Sequence, residues 1–371
     1  MRYKARKTGS ILCAASCLIS LSGCLFLPKT KSYTYDQISE ELRKDISVTD
    51  WNGPVPDGME IKYVMTRKVY KDDSGTGHDI RYEYDDAGRQ VAEISVDKNY
   101  STRASLVYND DGTLARKDYK TTGKISGYHI NDYEVTFEYN DNEQLVSCTR
   151  VSYNDKGEEN RRVVTEFEYE HGHLVRSDGN TYDYNDVEAP YFEYVALVND
   201  YHFSGDVKIV KRFYDEDGLL ISEEYDETVT AFEYENGVLT GETSTNKRGI
   251  CTRMDADGRY LSNTDPDGTL NWRYTYNEYG DQICYEEWKN GKPRVKNDSS
   301  YVYDGNGNCL SLEKKFWSVK DDGTESSFTS TTTYEYDEHG LQLCEVTKID
   351  GRFSRMEVYS YEAILIPAAS E

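Results

Sequence analysis

The chain has 371 residues and carries 68 Asp and Glu against 43 Lys and Arg, a net charge of −25. That excess excludes sequence-independent binding to nucleic acid or to anionic lipid headgroups, both of which need a basic surface. With 30% charged and 37% hydrophobic residues the composition borders on disorder, but 34 Tyr and 4 Trp restore a strand-forming apolar stock.

At the amino terminus Arg2, Lys4, Arg6 and Lys7 precede an uncharged, mostly apolar stretch from Ile11 to Gly23. It is too short to cross a bilayer comfortably and has the shape of a secretory signal. The stretch ends in Leu21-Ser22-Gly23-Cys24, which resembles the bacterial lipoprotein lipobox. The resemblance implies cleavage before Cys24, a diacylglyceryl group on its thiol, and residues Leu21, Ser22 and Gly23 in the peptidase pocket. An uncleaved anchor running on through Leu25-Phe26-Leu27 is the alternative, and both readings put the bulk of the chain outside the cytoplasm. Loss of residues 1–23 would leave 39 basic against 68 acidic residues, a charge of −29. Two or three acyl chains make a stable membrane anchor where one is marginal. Cys13 and Cys17 would leave with the signal. Cys148, Cys251, Cys284, Cys309 and Cys344 then remain, an odd and thinly spread set that reads as small buried hydrophobes rather than a disulfide framework, with a bridge between neighbouring strands, such as Cys284 with Cys309, as the alternative if their Cβ atoms meet.

Residues 24–58 read as a tether, a short helix and a loop. Thr34-Tyr35-Asp36-Gln37 has capping-box form, and Ile38, Leu42 and Ile46 recur every four residues, which predicts one amphipathic helix over 35–46. Trp51 to Gly58 is a loop by its Gly and Pro content.

From 59 to 361 one unit recurs: two aromatics separated by one residue, then an Asx-rich turn usually closed by Gly. The paired aromatics are Tyr82 and Tyr84, Phe137 and Tyr139, Tyr274 and Tyr276, Tyr301 and Tyr303, and Tyr334 and Tyr336. A two-residue spacing puts both rings on one face of a strand. With four-residue turns Tyr336 falls opposite Leu341, Tyr334 opposite Leu343, Tyr274 opposite Ile283, Tyr301 opposite Leu310, Phe137 opposite Val146 and Tyr82 opposite Val91. The shorter turns at Gly172 and Gly237 set Tyr169 against Leu174 and Tyr234 against Leu239. A bulge at the turn glycine would move these pairs by one. Ordering a 20-residue hairpin costs roughly 30 kcal/mol. Two buried Tyr return about 7 to 8 kcal/mol gross, so no hairpin stands alone.

The fold class is therefore all-β, a repetitive antiparallel hairpin meander forming a twisted or curled sheet, with one short N-terminal helix. The helix is expected to cap one end of the sheet, the strand Met356 to Tyr361 to close the other, and 362–371 to form a tail. The Tyr-x-Tyr-Asp-x-x-Gly unit resembles the YD repeat of RHS and teneurin-like proteins, with its best copies at Tyr82, Tyr301 and Tyr334 and degenerate ones elsewhere. That resemblance implies a spiralling β shell and an adhesive or carbohydrate-contacting role. The toxin role of the family does not carry over, because only 20 residues follow Gly351.

No catalytic, cofactor or metal signature is present. Asp215-Glu216-Asp217-Gly218, Asp255-Ala256-Asp257-Gly258 and Asp265-Pro266-Asp267-Gly268 echo calcium loops but lack the spacing of an EF-hand, and Asp with Gly is what a tight turn selects. His171-Gly172-His173 straddles a turn. Glu223-Glu224 and Glu286-Glu287 are adjacent acids that face opposite sides of a strand. The expectation is a cell-surface, lipid-anchored, non-catalytic binding or scaffold module, its partner a glycan or a surface protein. An exported carboxylate-dependent polysaccharide hydrolase is the alternative, and a solute-binding or assembly component is a third.

Overall fold

The computed structural model describes residues 33–123, 132–177, 180–182, 192–198 and 207–368; the signal segment, the lipobox and Cys24 lie outside them. The described residues form one helix, one 3₁₀ turn and 25 strands. Almost every strand pairs antiparallel with the next in sequence, as the alternating pattern requires. No ladder among the described residues closes the sheet into a barrel.

The ends of the sheet are not where the chain begins and stops. The first long strand, Met59–Asp72, pairs antiparallel with the last, Arg352–Pro367, from Met59 opposite Pro367 to Asp72 opposite Arg355. The short strand Ser47–Thr49 adds parallel to the same last strand, at Ser360 to Glu362. This corrects the expected caps, because the helix and the C-terminal strand sit together near the middle of the sheet. The reason is burial: the last strand is apolar on both faces, with Met356, Val358, Tyr359, Tyr361 and Ala363 all buried, and an edge position would have left it wet. Pairing also runs past the boundary drawn at 361, to Pro367.

The helix spans Tyr35–Leu42 and is followed by the 3₁₀ turn Arg43–Asp45, shorter than the predicted 35–46. Its capping box is present, with the Thr34 hydroxyl accepting from the Gln37 amide and the Gln37 side chain accepting from the Thr34 N–H. Ile38 and Leu42 bury against Cys344, Val346, Met356 and Val358 on what we call the outer face.

The inner face carries the repeat aromatics and the larger core. Ala104, Leu114, Tyr119, Tyr133, Val135, Phe137, Leu145, Cys148, Phe167 and Leu174 pack together, and Tyr194, Ala196, Val207 and Ile209 join them from beyond the break after Thr181. The sheet therefore curls until its two mid-chain edges approach, and Tyr182 meets Tyr194 with ring centroids 4.6 Å apart.

The turns explain the register. In ten of them an Asp or Asn accepts at its side-chain oxygen from the backbone N–H groups two and four residues on, as Asp85 does from Ala87 and Arg89 and Asp337 from His339 and Leu341. The third loop residue sits at positive φ, as with Gly88 at 72° and Gly340 at 76°; Glu143 takes that place at 61° without glycine's freedom. A second shift follows at once: Tyr84 opposes Gln90 while Glu83 opposes Ala92, which leaves Val91 as a bulge. The two shifts together move the predicted pairs by two residues, so Tyr82 faces Glu93, Phe137 faces Cys148, Tyr301 faces Leu312, Tyr274 faces Tyr285 and Tyr334 faces Glu345. At the Tyr336 hairpin the partner is Gln342 rather than Leu341. A shift of two preserves the face, which is why the pattern of faces survived the change of partners. The hairpins with shorter turns keep their predicted pairs, Tyr169 with Leu174 and Tyr234 with Leu239.

Each bulge disrupts the ladder locally and leaves a backbone acceptor to satisfy. At nine of the bulges a tyrosine hydroxyl supplies the donor. Tyr84 donates to the carbonyl of Met65, Tyr108 to Gln90, Tyr139 to Leu114, Tyr169 to Leu145, Tyr234 to Leu220, Tyr276 to Tyr260, Tyr301 to Gln282, Tyr336 to Cys309 and Tyr361 to Gln342, all at 2.8–3.3 Å. Every acceptor is the residue immediately before a bulged one. Burial pushes Tyr139, Tyr301 and Tyr361 up to about 12, which keeps each phenol a donor at any ordinary pH. This chemistry selects Tyr over Phe in the repeat, because only the phenol both packs and reaches across to the neighbouring hairpin.

Candidate binding surface

Three of the longest strands lie side by side: Lys292–Tyr303, Cys309–Val319 and Glu325–Tyr336. Their alternation sends Tyr301, Leu312 and Thr332 inward and sets a two-by-three grid on the outer face. One row is Lys296, Trp317 and Ser327; the next is Asp298, Lys315 and Thr329. Neighbours along a row are about 4.8 Å apart and the rows about 6.6 Å apart. Asp350 borders the second row, accepting from the Thr329 N–H at 2.9 Å. These side chains line an open groove of about 350 Å³.

Within the groove Lys296 and Asp298 pair at 3.0 Å, and Asp298 with its neighbouring charges holds the Lys296 ammonium above its ordinary value. The Trp317 indole N–H donates to Glu325 at 3.3 Å, which fixes the ring's edge. Beneath it, on the inner face, Phe316 and Phe328 stack with centroids 4.4 Å apart. A held indole bordered by a carboxylate, two ammonium groups and two hydroxyls can stack on an apolar ring face and hydrogen-bond the ring's substituents.

The inner face carries the densest charge. A cross-strand row runs Tyr334, Glu345, Glu357, Tyr70, His78. Glu357 is 7% exposed. It accepts from the Tyr359 hydroxyl at 3.0 Å and pairs with Lys68 at 2.5 Å. Arg355 reaches Glu345 at 3.1 Å and Glu357 at 3.8 Å. Burial, then the charge of Glu357, pushes the Glu345 carboxyl up, and burial pulls the Lys314 ammonium down. Lys68, Glu345, Arg355 and Glu357 are paired with one another, so the cluster ties the first strand to the last.

The repeat aromatics are dispersed over the inner face and do not converge. Tyr84, Tyr139, Tyr276, Tyr301 and Tyr336 are committed to bulge carbonyls. Tyr303 bonds Asn277 and Asp281 of the preceding turn and packs on Tyr279 at 4.5 Å. Tyr274 meets Tyr285 at 4.8 Å, Phe137 is buried, and Tyr82 and Tyr334 oppose Glu93 and Glu345. They are therefore structural rather than an exposed stacking platform.

The other candidates are equally dispersed. Asp215 and Asp255 spend a carboxylate oxygen on their own turns, and Asp265 accepts from Asn271 at 2.9 Å. His171 and His173 are exposed around a turn, His171 at a φ of 51°. Glu223 pairs with Arg212 at 2.8 Å and Glu286 with Arg273 at 2.5 Å, while Glu224 and Glu287 point to the other face. The grid residues went unnoticed in the sequence because only the register makes Lys296, Trp317 and Ser327 neighbours. The available signal was the length of these strands and a Trp alternating with charged residues.

No family model and no curated protein matches the chain. Among solved structures, a crystal structure of TcdB2-TccC3-Cdc42 aligns over 79% of this chain and 19% of its own length, at 12% identity and a TM-score of 0.26. A porin-like protein from Bacteroides uniformis aligns over 80% and 96%, at 13% identity and a TM-score of 0.22. A putative outer membrane protein from Bacteroides fragilis aligns over 80% and 95%, at 8% identity and a TM-score of 0.13. The chain thus spans about a fifth of the first of these, and at such TM-scores the likenesses carry no argument about function.

Proposed function

We propose that the protein is a lipid-anchored, extracytoplasmic β-repeat module that binds glycan without turning it over, with the groove around Trp317 as a sugar subsite. The observation that carries this reading is the grid of Lys296, Trp317 and Ser327 beside Asp298, Lys315 and Thr329 on three long strands. A pyranose presents an apolar C–H face to an indole and vicinal hydroxyls to a charged pair, and it fits the spacing of adjacent rows. The acidic chain disfavours uronic acids and favours neutral or amino sugars. The burial of Glu357 and the pairing of Glu345 and Glu357 with Arg355 support the non-catalytic reading over hydrolysis.

Titrating a chitin-type or other neutral oligosaccharide while following tryptophan emission or amide shifts tests the site. Trp317→Ala should weaken binding about tenfold, the loss of one stacking contact, and leave the fold intact. No saturable response at about 10 mM sugar sinks the glycan reading. The anchor is tested separately: Cys24→Ala should move the protein from the membrane fraction to the soluble one.

A further inference from the structure

The strand Glu159–Glu170 differs from its neighbours. One side pairs with Leu145–Tyr153 over its outer part, but among the described residues the other side is paired only from Phe167 onward, by His173–Ser177. Beyond the bulge at Asn160, residues 161–166 run as a regular strand whose second row of backbone groups has no strand partner among the described residues. All of them but Thr165 are exposed, including Val163 at 38% and Val164 at 46%. Two adjacent exposed valines put apolar surface on both faces of an open edge, the arrangement soluble β proteins usually avoid.

We propose that this edge pairs with the same edge of a second copy, continuing the sheet through a two-fold axis at Val164. Antiparallel strands related by an axis perpendicular to the sheet keep the same face up, so residues facing each other must share parity. Centring the axis on Val164 satisfies this, and it sets Val164 opposite Val164, Val163 opposite Thr165 twice, and Arg162 opposite Glu166 twice. Both charges of each cross-copy pair are thereby matched. In the single chain Arg162 bonds Glu159 at 2.7 Å in an exposed pair that is cheap to exchange. The segment holds Glu159, Arg161, Arg162 and Glu166 and is locally neutral, so the acidity of the whole chain does not act at the contact. Such an interface is small against the 1,200 Å² or so of stable complexes, so a weak dimer is expected, strengthened where the protein is crowded on a surface.

Sedimentation from about 10 to 500 μM should show a reversible monomer–dimer equilibrium in the upper part of that range. Val164→Lys, at an exposed position that leaves the fold intact by circular dichroism, should hold the protein monomeric. Val164→Cys should cross-link with itself under mild oxidation far faster than Val163→Cys, whose partner is Thr165. A monomer throughout the range, a dimer that survives Val164→Lys, or equal cross-linking of the two cysteines overturns the proposal.

Discussion

The sheet is built from one repeat, yet two stretches of it are held together differently. Between 92 and 177 the inner face is a dry core, with Val135 and Leu174 fully buried and Phe137 and Leu145 nearly so. Between 211 and 298 only Gly241 is buried, and the sheet is a single layer whose rings meet across strands: Tyr274 on Tyr285 at 4.8 Å, Trp272 on Tyr260 at 5.9 Å. Turns, bulges and hydroxyl bridges are common to both. The comparison shows that the repeat specifies the strand register by itself, whereas bulk stability depends on whether a second layer covers it. In the first stretch the covering layer is the curl that brings Tyr194, Ala196, Val207 and Ile209 over the core.

The largest expected effect tests that division. Phe137→Ala empties a site that is 5% exposed and should cost about 3 to 5 kcal/mol. Tyr274→Ala removes a ring water already reaches, and about 1 to 2 kcal/mol is expected from lost cross-strand contact and partial burial. Urea titration with hydrogen exchange as the local readout separates the two. Equal costs would mean that the single layer is covered after all.

A smaller effect concerns the hydroxyl bridges. Tyr139 donates to Leu114 within the covered stretch, and Tyr276 donates to Tyr260 in the open one, at 3.1 and 2.8 Å. Replacing either Tyr with Phe deletes the same bond. Around Leu114, which is 9% exposed, the carbonyl loses its donor where water enters poorly, so about 1 to 2 kcal/mol is expected. The carbonyl of exposed Tyr260 can rehydrate, and well under 1 kcal/mol is expected there. Thermal unfolding of the two variants checks the ranking, and the reverse order would reject solvent access as its cause.

These contrasts also mark what could be read from the chain alone. The face of every repeat aromatic follows from the two-residue spacing, and the helix start follows from Thr34 and Gln37. Register did not follow, because the positive-φ residue and the bulge after it are both hidden in a turn string that could equally close as four residues. A plain four-residue closure sets Tyr82 against Val91, whereas in the structure it meets Glu93. The mid-sheet meeting of Met59–Asp72 and Arg352–Pro367 was illegible for a different reason. Pairing across nearly the whole chain leaves no local trace beyond a last strand too apolar for an edge. The grid around Trp317 inherits both difficulties, since it exists only once three registers are fixed.

Acidity gives the smallest expected effect, and it divides the molecule along the same line of burial. Glu345 has its carboxyl raised above the ordinary 4.5, chiefly by burial and then by Glu357. The stability associated with its protonated form is complete below 4.5 and is lost as the pH climbs through the raised value, so at neutral pH the ionised group is a net burden. Asp85 and Asp255 behave oppositely. Burial pushes each up, but the N–H groups of Arg89 and Arg259 and the adjoining guanidinium bonds prevail and hold both below 3.8. Their contribution is present above 3.8 and disappears as the pH falls through the depressed values. Glu345→Gln should therefore stabilise the protein at pH 7, and the gain should fade as the pH falls through the raised value toward 4.5. Asp255→Asn should cost stability at neutral pH and cost progressively less in acid. Melting both variants and the parent from pH 3 to 7 would show difference curves of opposite slope, and parallel curves would mean that neither carboxyl feels its surroundings as the geometry requires.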